Sequence, residues 1–275
     1  DQLTEEQFAF GGWSASVGMQ HPFSEGLNLH LGVSRKFRAP EINELFSAGL
    51  HHGAAALEFG DLELKEEIAY TFNAALRFTG SKWSWNIEPF VHYFDGFINL
   101  EPTNETQLSI RGAFPVFRYL QSTVLYSGVD AGLRFAANDH WQFGSQLNLV
   151  YAMNTETMNF VYGIPAPRCQ LNVKHLFDPS SFLANSFALV RANYVFEHKW
   201  AELEQDFVAP PEGYLLMGLE FGKHFSKRPG VLIFQINNVL NNSYRDYMNR
   251  YRYFADEQGI QFNITYNYTL NTTQK

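Results

Sequence analysis

At 275 residues the chain has room for one large β domain or two ordinary ones, and its net charge of −8, with Lys and Arg scattered, supplies no concentrated basic face for nucleic acid. Aromatics at 16%, charged residues at 17% and a negative mean hydropathy disfavour both a disordered chain and a helical membrane protein. No run of about 18 apolar residues offers a transmembrane helix, and the single Cys169, read as a small apolar strand residue, leaves neither an intrachain disulfide nor a Cys-based zinc site.

Helical periodicity of useful length is missing, whereas period-two alternation recurs about eleven times, so an all-β architecture is expected. The acidic, polar segment Asp1 to Gln7 does not have the form of a signal peptide. The first predicted strand sets Trp13, Ala15, Val17 and Met19 against Ser14, Ser16, Gly18 and Gln20, and the second sets Leu27, Leu29, Leu31 and Val33 against Asn28, His30, Gly32 and Ser34. A long Gly- and Ala-rich interruption follows, from Arg35 to Glu67. The third strand then sets Ile68, Tyr70, Phe72, Ala74, Leu76 and Phe78 against Asn73, Arg77 and Thr79, and the fourth sets Trp83, Trp85, Ile87, Val91 and Tyr93 against Asn86, Glu88 and His92. The fifth carries Val129, Ala131, Leu133 and Phe135 on one face, and the sixth Trp141, Phe143, Leu147, Leu149 and Tyr151. The seventh, near Gln170 to Phe177, has the weakest pattern. The remaining four present Val190 and Tyr194, Leu219 and Phe221, Leu232 and Phe234, and finally Phe262, Ile264, Tyr266 and Tyr268.

A soluble sandwich would alternate too. Three further features point elsewhere. Several strands reach the roughly ten residues that a tilted strand needs to cross a bilayer. Aromatics such as Trp83, Tyr93, Phe135, Trp141, Tyr151 and Tyr194 sit at the ends of the apolar faces, where an interfacial girdle belongs. Short turns near His21 to Gly26, Gly80 to Lys82, Ala136 to Asp139, Asp178 to Phe182 and Gly222 to Gly230 alternate with long loops near Arg35 to Glu67, Gly96 to Gln121, Asn154 to Pro167, Glu197 to Gly213 and Asn238 to Gln258. The expected architecture is therefore an antiparallel transmembrane β-barrel of the outer membrane, its apolar face meeting lipid and its short turns periplasmic.

In that orientation Asp1 lies outside the cell, and about eleven strands is an odd count where single-chain bacterial barrels are even. Both lead to the expectation that the chain is part of a larger barrel.

The run R-K-F-R-A-P-E-I-N-E-L-F-S-A-G-L-H-H-G, with E-F-G-D-L-E-L-K-E-E after it, resembles the stretch of TonB-dependent outer-membrane receptors that joins two barrel strands through an extracellular loop. Tyr119 to Arg134, Y-L-Q-S-T-V-L-Y-S-G-V-D-A-G-L-R, is similar to the family's Y-x-N/Q-x-x-x-x-x-x-G-x-E/D strand. Ile236 to Tyr247 resembles its late N-N-L-F-x-x-x-Y element and Gly259 to Tyr268 its closing strand, while the tail Thr269 to Lys275 departs from the usual terminal aromatic. The resemblance implies that residues 1–275 form the C-terminal half of a 22-stranded barrel, without the plug domain and the TonB-contacting segment. It also implies energy-coupled uptake of a scarce nutrient, driven through TonB, ExbB and ExbD. The cargo would be a ferric siderophore, haem, zinc or another metal complex, and no permanent cofactor is implied. A passive porin or structural barrel without a plug is the alternative.

Within the first long loop, Phe37 to Pro40 resembles the F-R-A-P box that precedes a haem-ligating histidine in haem receptors, and Gly60, Asp61 and Leu62 partly match the second box. His51 and His52, the only adjacent histidine pair, are then the metal-ligand residues, for haem iron or for zinc. The plainer reading is that they decorate a polar loop. Arg38 and Pro40 end a strand rather than touch ligand. The loop Tyr244 to Phe254 suits stacking on a planar or sugar ligand, and its Arg245, Arg250 and Arg252 suit an anionic one, unless it only packs against neighbouring loops. Asp95, Asp130, Arg134, Arg191 and Glu220 are expected to line the lumen and pair with a plug. Enzyme signatures are missing: there is no Gly-x-Ser-x-Gly, phosphate-binding glycine loop or His-Glu-x-x-His.

Overall fold

A computed structural model describes residues 7–110, 112–201, 206–225 and 230–268. In chain order its strands are β1 (Ala15–Ser24), β2 (Leu27–Arg38), β3 (Ala48–His51), β4 (Ala56–Phe59), β5 (Glu67–Thr79), β6 (Trp83–Ser109), β7 (Gly112–Ala136), β8 (Trp141–Asn154), β9 (Arg168–Leu176), β10 (Ser186–Val195), β11 (Tyr214–Phe225), β12 (Gly230–Asn237) and β13 (Gln261–Tyr268). A five-residue helix, α1 (Ile42–Phe46), precedes β3. Eleven strands pair antiparallel in the order β1-β2-β5-β6-β7-β8-β9-β10-β11-β12-β13 to build one wall, while β3 and β4, inside the first long loop, lie off this path, β3 pairing with β4 and β4 with β7. Among the described residues β1 and β13 do not pair, so this wall is open.

The wall is built with its apolar side outermost. Val17, Val33, Phe72 and Val91 lie side by side across β1, β2, β5 and β6, and each is between 44% and 68% exposed. Leu147, Val190, Leu219 and Phe234 continue the face, all exposed. The opposite face carries Arg77, Glu88, Asp130, Arg191 and Glu220, with Arg77 to Glu88 at 2.9 Å, Arg191 to Glu220 at 3.9 Å, and Asp130 accepting from Asn148 at 2.7 Å. Only a solvent of hydrocarbon makes that inversion favourable, because each strand then satisfies its backbone through its neighbours while its apolar side chains meet lipid.

Aromatic belts bound this face. At the short-turn end Trp83 stacks on Phe135 at 4.0 Å and Trp141 meets His175 at a tilt, 4.4 Å away. At the long-loop end Tyr70 meets Tyr93 at 6.4 Å and Tyr194 meets Phe196 at 4.8 Å. From Trp83 to Tyr93 is roughly 33 Å along β6, and a strand tilted by about 40° turns that into roughly 25 Å of thickness.

Several boundaries differ from the sequence reading. The long loop expected from Gly96 to Gln121 is instead strand, with β6 and β7 continuing as a paired hairpin far beyond the belt. At about 3.3 Å per residue the 27 residues of β6 span roughly 90 Å, three times what the membrane needs. Above the membrane neither face must be apolar, so the alternation that reveals a strand fades there. Asp95 is not lumenal. It pairs with Ile68 on the outward side, two and four residues on from the outward Tyr93 and Val91 in the same unbroken ladder, and the bulge between Phe94 and Phe97, with Gly96 at φ 72°, comes only after it. Trp13 lies just before β1, β1 runs on through Ser24, and β11 runs to Phe225. The centre of the turn expected at Gly222 to Gly230, and the tail Thr269 to Lys275, lie outside the described residues.

Candidate functional site

The long loops all leave the same end of the wall, and the strand ends fix where they start. Arg38, the last residue of β2, donates to Glu44 of α1 at 2.8 Å and to Glu67 of β5 at 3.0 Å. Glu44 also accepts from the backbone of Glu41 at 2.7 Å, and Glu67 from that of Ile98 at 3.0 Å. The arginine of the F-R-A-P run is therefore a staple for the first loop. Gln121 acts likewise: its carboxamide bridges the carbonyls of Lys65 at 2.9 Å and Gly96 at 2.8 Å and accepts from the Lys65 amide at 3.0 Å. Asn238 and Asn241 hold the last loop's start with φ 49° and 50°, a region that asparagine tolerates, and Asn242 donates to Leu215 at 2.7 Å.

Anchored in this way, the loops pack on one another. β4 adds in parallel to the upper part of β7. There Ala54, Ala56 and the fully buried Phe117 form a core that Leu100, Tyr162, Phe207 and Tyr253 complete, so four loops and the hairpin share one apolar cluster. The ring of Phe117 lies 5.6 Å from Phe207 and 6.0 Å from Tyr162.

The charged residues singled out in the sequence are distributed through this cap. Arg250 pairs with Glu58 of β4 at 2.5 Å and lies over the Phe117 ring at 5.3 Å. His51 Nδ1 stands 3.7 Å from the same Glu58 oxygen, and the carbonyl of His52 accepts from Tyr251 at 3.3 Å, both imidazoles being exposed. Arg252 is buried against Asp206, between the rings of Tyr247 and Tyr253. Arg245 pairs with Asp256 at 2.6 Å and donates to the Arg252 carbonyl at 2.7 Å. The structure thus brings His51 and Arg250 together on one carboxylate and leaves Arg245 and Arg252 on others. Among the described residues no three His, Cys, Asp or Glu side chains are placed to hold a metal.

Sequence reasoning missed Glu58, Asp206 and His198. Each stands in a stretch without periodicity, and its partner is remote: 192 residues separate Arg250 from Glu58. His198 is buried, with Nε2 donating to the Ile164 carbonyl at 2.7 Å and its ring 4.5 Å from Tyr247. Burial holds its pKa below the usual value, with the Arg252 charge acting the same way. Folding thus favours neutral His198, and stability present at neutral pH is lost as pH falls from about 6.5 towards the lowered value. Acidification from pH 8 to pH 5 is expected to speed proteolysis of loop 196–213, and His198→Gln is expected to flatten that dependence; equal pH dependence in both proteins would refute it.

Beneath the last loop, the polar face of β8 to β11 forms a recess of about 600 Å³, bordered by Asn148, Arg168, Asn193, Tyr214, Asp246 and Glu257. Tyr214 donates to Asp246 at 2.8 Å, and its ring lies tilted against Tyr244 at 4.5 Å. Burial pushes the Tyr244 hydroxyl above its ordinary pKa, with the Glu257 and Asp246 charges acting the same way. The volume is that of a small-molecule site, and its amides, phenols and paired charges can hydrogen-bond a polar ligand.

The family described as TonB dependent receptor-like, beta-barrel matches residues 2–239. Among solved structures, the copper transporter OprC superposes with a TM-score of 0.76 at 15% identity, over 93% of this chain and 39% of that one. The siderophore receptor PirA from Acinetobacter baumannii gives 0.65 at 13% identity, over 94% and 41%. A mutant of the ferric enterobactin receptor PfeA from Pseudomonas aeruginosa, in complex with enterobactin, gives 0.65 at 15%, over 94% and 40%. The chain spans about two fifths of the length of these proteins and shares their fold. With its lipid-facing wall, its two aromatic belts and a family match over most of its length, the chain belongs to the TonB-dependent receptor β-barrels of the bacterial outer membrane.

Proposed function

We propose that residues 1–275 are the C-terminal part of the barrel of a TonB-dependent receptor for a metal complex, and that the loop cap and the recess beneath it form the outer half of its ligand path. The observation that carries this reading is the cap itself: four loops share one buried cluster above a polar, ligand-sized recess, an arrangement that a passive pore does not need. Uptake then draws on the TonB, ExbB and ExbD system through segments upstream of the chain. The ligand is a small metal complex, either a ferric siderophore, haem, or a metal such as zinc or copper, carried as cargo and not as a resident cofactor.

Within the cap, His51 and His52 are the residues we assign to first contact, because both are exposed at its rim. Arg245, Arg250 and Arg252 contribute by fixing loop shape through Asp256, Glu58 and Asp206, and Arg250 is the one of the three poised to exchange its partner for an anionic ligand. A strain lacking the receptor, grown on single iron, haem, zinc or copper sources, is expected to lose growth on one of them. Complementation with a His51→Ala, His52→Ala double variant is expected to restore that growth at least tenfold less efficiently. Full restoration would remove the histidines from the path, and unimpaired growth of the deletion strain on every source would overturn the receptor reading.

A further inference from the structure

Three neighbouring strands of the wall carry no carboxylate. In a chain of net charge −8, β8, β9 and β10 hold neither Asp nor Glu anywhere along their length. Their lumenal face presents Arg168, Lys174 and Arg191, with the amides of Gln146, Gln170 and Asn172 among them. The ladder sets Gln146 beside Gln170 and places Asn172 between Gly144 and Arg191. A Cβ at position 144 would come within 2.6 Å of the Asn172 amide, so glycine there leaves that amide its room on the wall. Among the described residues Arg168 and Lys174 form no ion pair, and Arg191 stands 3.9 Å from Glu220 of the next strand. The Lys174 ammonium lies 4.2 Å over the Phe187 ring.

This stripe connects two cavities. The upper one is the recess beneath the last loop. The lower one, about 800 Å³, reaches the short turn Gly80 to Lys82, and its wall holds Arg77, Lys82, Arg134, Lys174 and Arg191 against one carboxylate, Glu88, which Arg77 already pairs. Gln146 and Gln170 line both cavities, so the two are continuous along the wall. From Arg168 to Lys174 along β9 is roughly 20 Å at about 3.3 Å per residue. The recess under the cap is thus continued towards the periplasmic end by a face of guanidinium, ammonium and amide donors.

A cleft lined by one sign of charge concentrates the opposite sign, and oxygen anions are the acceptors that arginine forks and lysine ammoniums bond best. A bare metal cation is repelled by the same wall. Passage also requires binding that is favourable at several points and weak at each. Cations alone would hold a polyanion fast, whereas amides placed between them pass it on. A permanently seated acidic segment of the receptor would call instead for charge matched to charge. Resting on the receptor reading above, we infer that the β8 to β10 face is the inner half of the ligand path and that the cargo is an oxygen-rich, polyanionic metal complex. It moves from Arg168 past Gln170 and Asn172 to Lys174 and Arg191.

The test uses the full receptor in TonB-competent cells and two radio-iron probes, a hexadentate ferric tris-catecholate bearing three negative charges and a neutral ferric tris-hydroxamate. Iron bound to de-energised cells is measured apart from iron taken in by energised ones. The unaltered receptor is expected to take in the tris-catecholate at least about tenfold faster than the tris-hydroxamate. Asn172→Asp, isosteric but negative, is expected to lower the ratio of internalised to surface-bound tris-catecholate at least about fivefold. Lys174→Gln is expected to lower that ratio less, and Lys174→Arg to keep it. Heat-modifiable migration on gels reports that each variant is folded. If Asn172→Asp fails to fold, the two probes on the unaltered receptor and the Lys174 pair still decide. Preference for the neutral probe, or an unaffected ratio in Asn172→Asp, overturns the proposal. It is also overturned if the variants expose the upstream part of the receptor to periplasmic protease in step with lost uptake, since that marks the stripe as a seat for that part. A receptor that takes up neither probe yet is needed for growth on zinc or copper overturns the polyanion path and leaves the receptor reading standing, whereas unimpaired growth of the deletion strain on every source ends both.

Discussion

Replacing Asp206 by alanine is expected to open the loop cap while leaving the wall intact, at a cost of about 3–5 kcal/mol. The Asp206 and Arg252 side chains are 3% and 1% exposed, so the guanidinium has no route to solvent once its partner is removed. Nor has it a spare protein partner, because its Nε and Nη1 already find none. The same carboxylate accepts from the Tyr253 hydroxyl at 2.6 Å and the Phe207 amide at 2.8 Å, so the substitution strands three donors in one step. The wall is held by ladder hydrogen bonds from β1 to β13 and does not share these contacts. In the full receptor, limited proteolysis of loop 238–260 is expected to accelerate by on the order of 10²- to 10⁴-fold where opening is fast relative to cleavage. A paired replacement, Asp206→Leu with Arg252→Met, removes the charge along with its partner and is expected to recover most of the loss. Wild-type cleavage rates in Asp206→Ala would show that the pair contributes nothing to the cap.

The division between wall and cap is also the division between what the sequence reveals and what it hides. Along the wall every strand faces lipid on one side and a polar lumen on the other, so Phe72 against Asn73 or Leu147 against Asn148 prints the architecture directly into a period of two. Even β9, the weakest pattern, obeys it, with Leu171 and Val173 pairing with outward residues of its neighbours. The upper hairpin has no such pressure. Pro102 and Pro115 interrupt its ladder, a register shift follows Pro102, and only a structure shows that the chain stays extended there. Motifs were legible as motifs but not as chemistry: the Gln of Y-L-Q clamps a loop to a bulge, and the asparagines of N-N-V-L-N-N supply tight left-handed turns. The cap contacts were not legible at all. Glu58 meets Arg250 and Asp206 meets Arg252 across stretches with no repeating pattern, so nothing local distinguishes those carboxylates from solvated ones.

Phe117→Ala is expected to have an effect of the same size through packing instead of charge. The side chain is fully buried at the point where β4 joins β7, with Glu58 as its register neighbour and Tyr162, Phe207 and Tyr253 around its ring. Truncation removes its transfer energy and leaves a cavity between loops that no single loop can close, a loss of about 3–5 kcal/mol, whereas Phe117→Leu is expected to cost about 1–1.5 kcal/mol. Hydrogen exchange at Ala56–Phe59 and at residues 247–254 reads the result, with both segments losing protection together while β8 to β11 keep theirs. If only β4 loosened, the cap would not be one cooperative unit. The two substitutions also test each other. Tyr253 touches both sites, its hydroxyl on Asp206 and its ring 6.4 Å from Phe117, so the combined loss in the Phe117→Ala, Asp206→Ala protein is expected to fall short of the sum by at least about 1 kcal/mol. Strict additivity would mean that the apolar cluster and the buried ion pair hold separate parts of the cap, and that a ligand loosening one of them could leave the other closed.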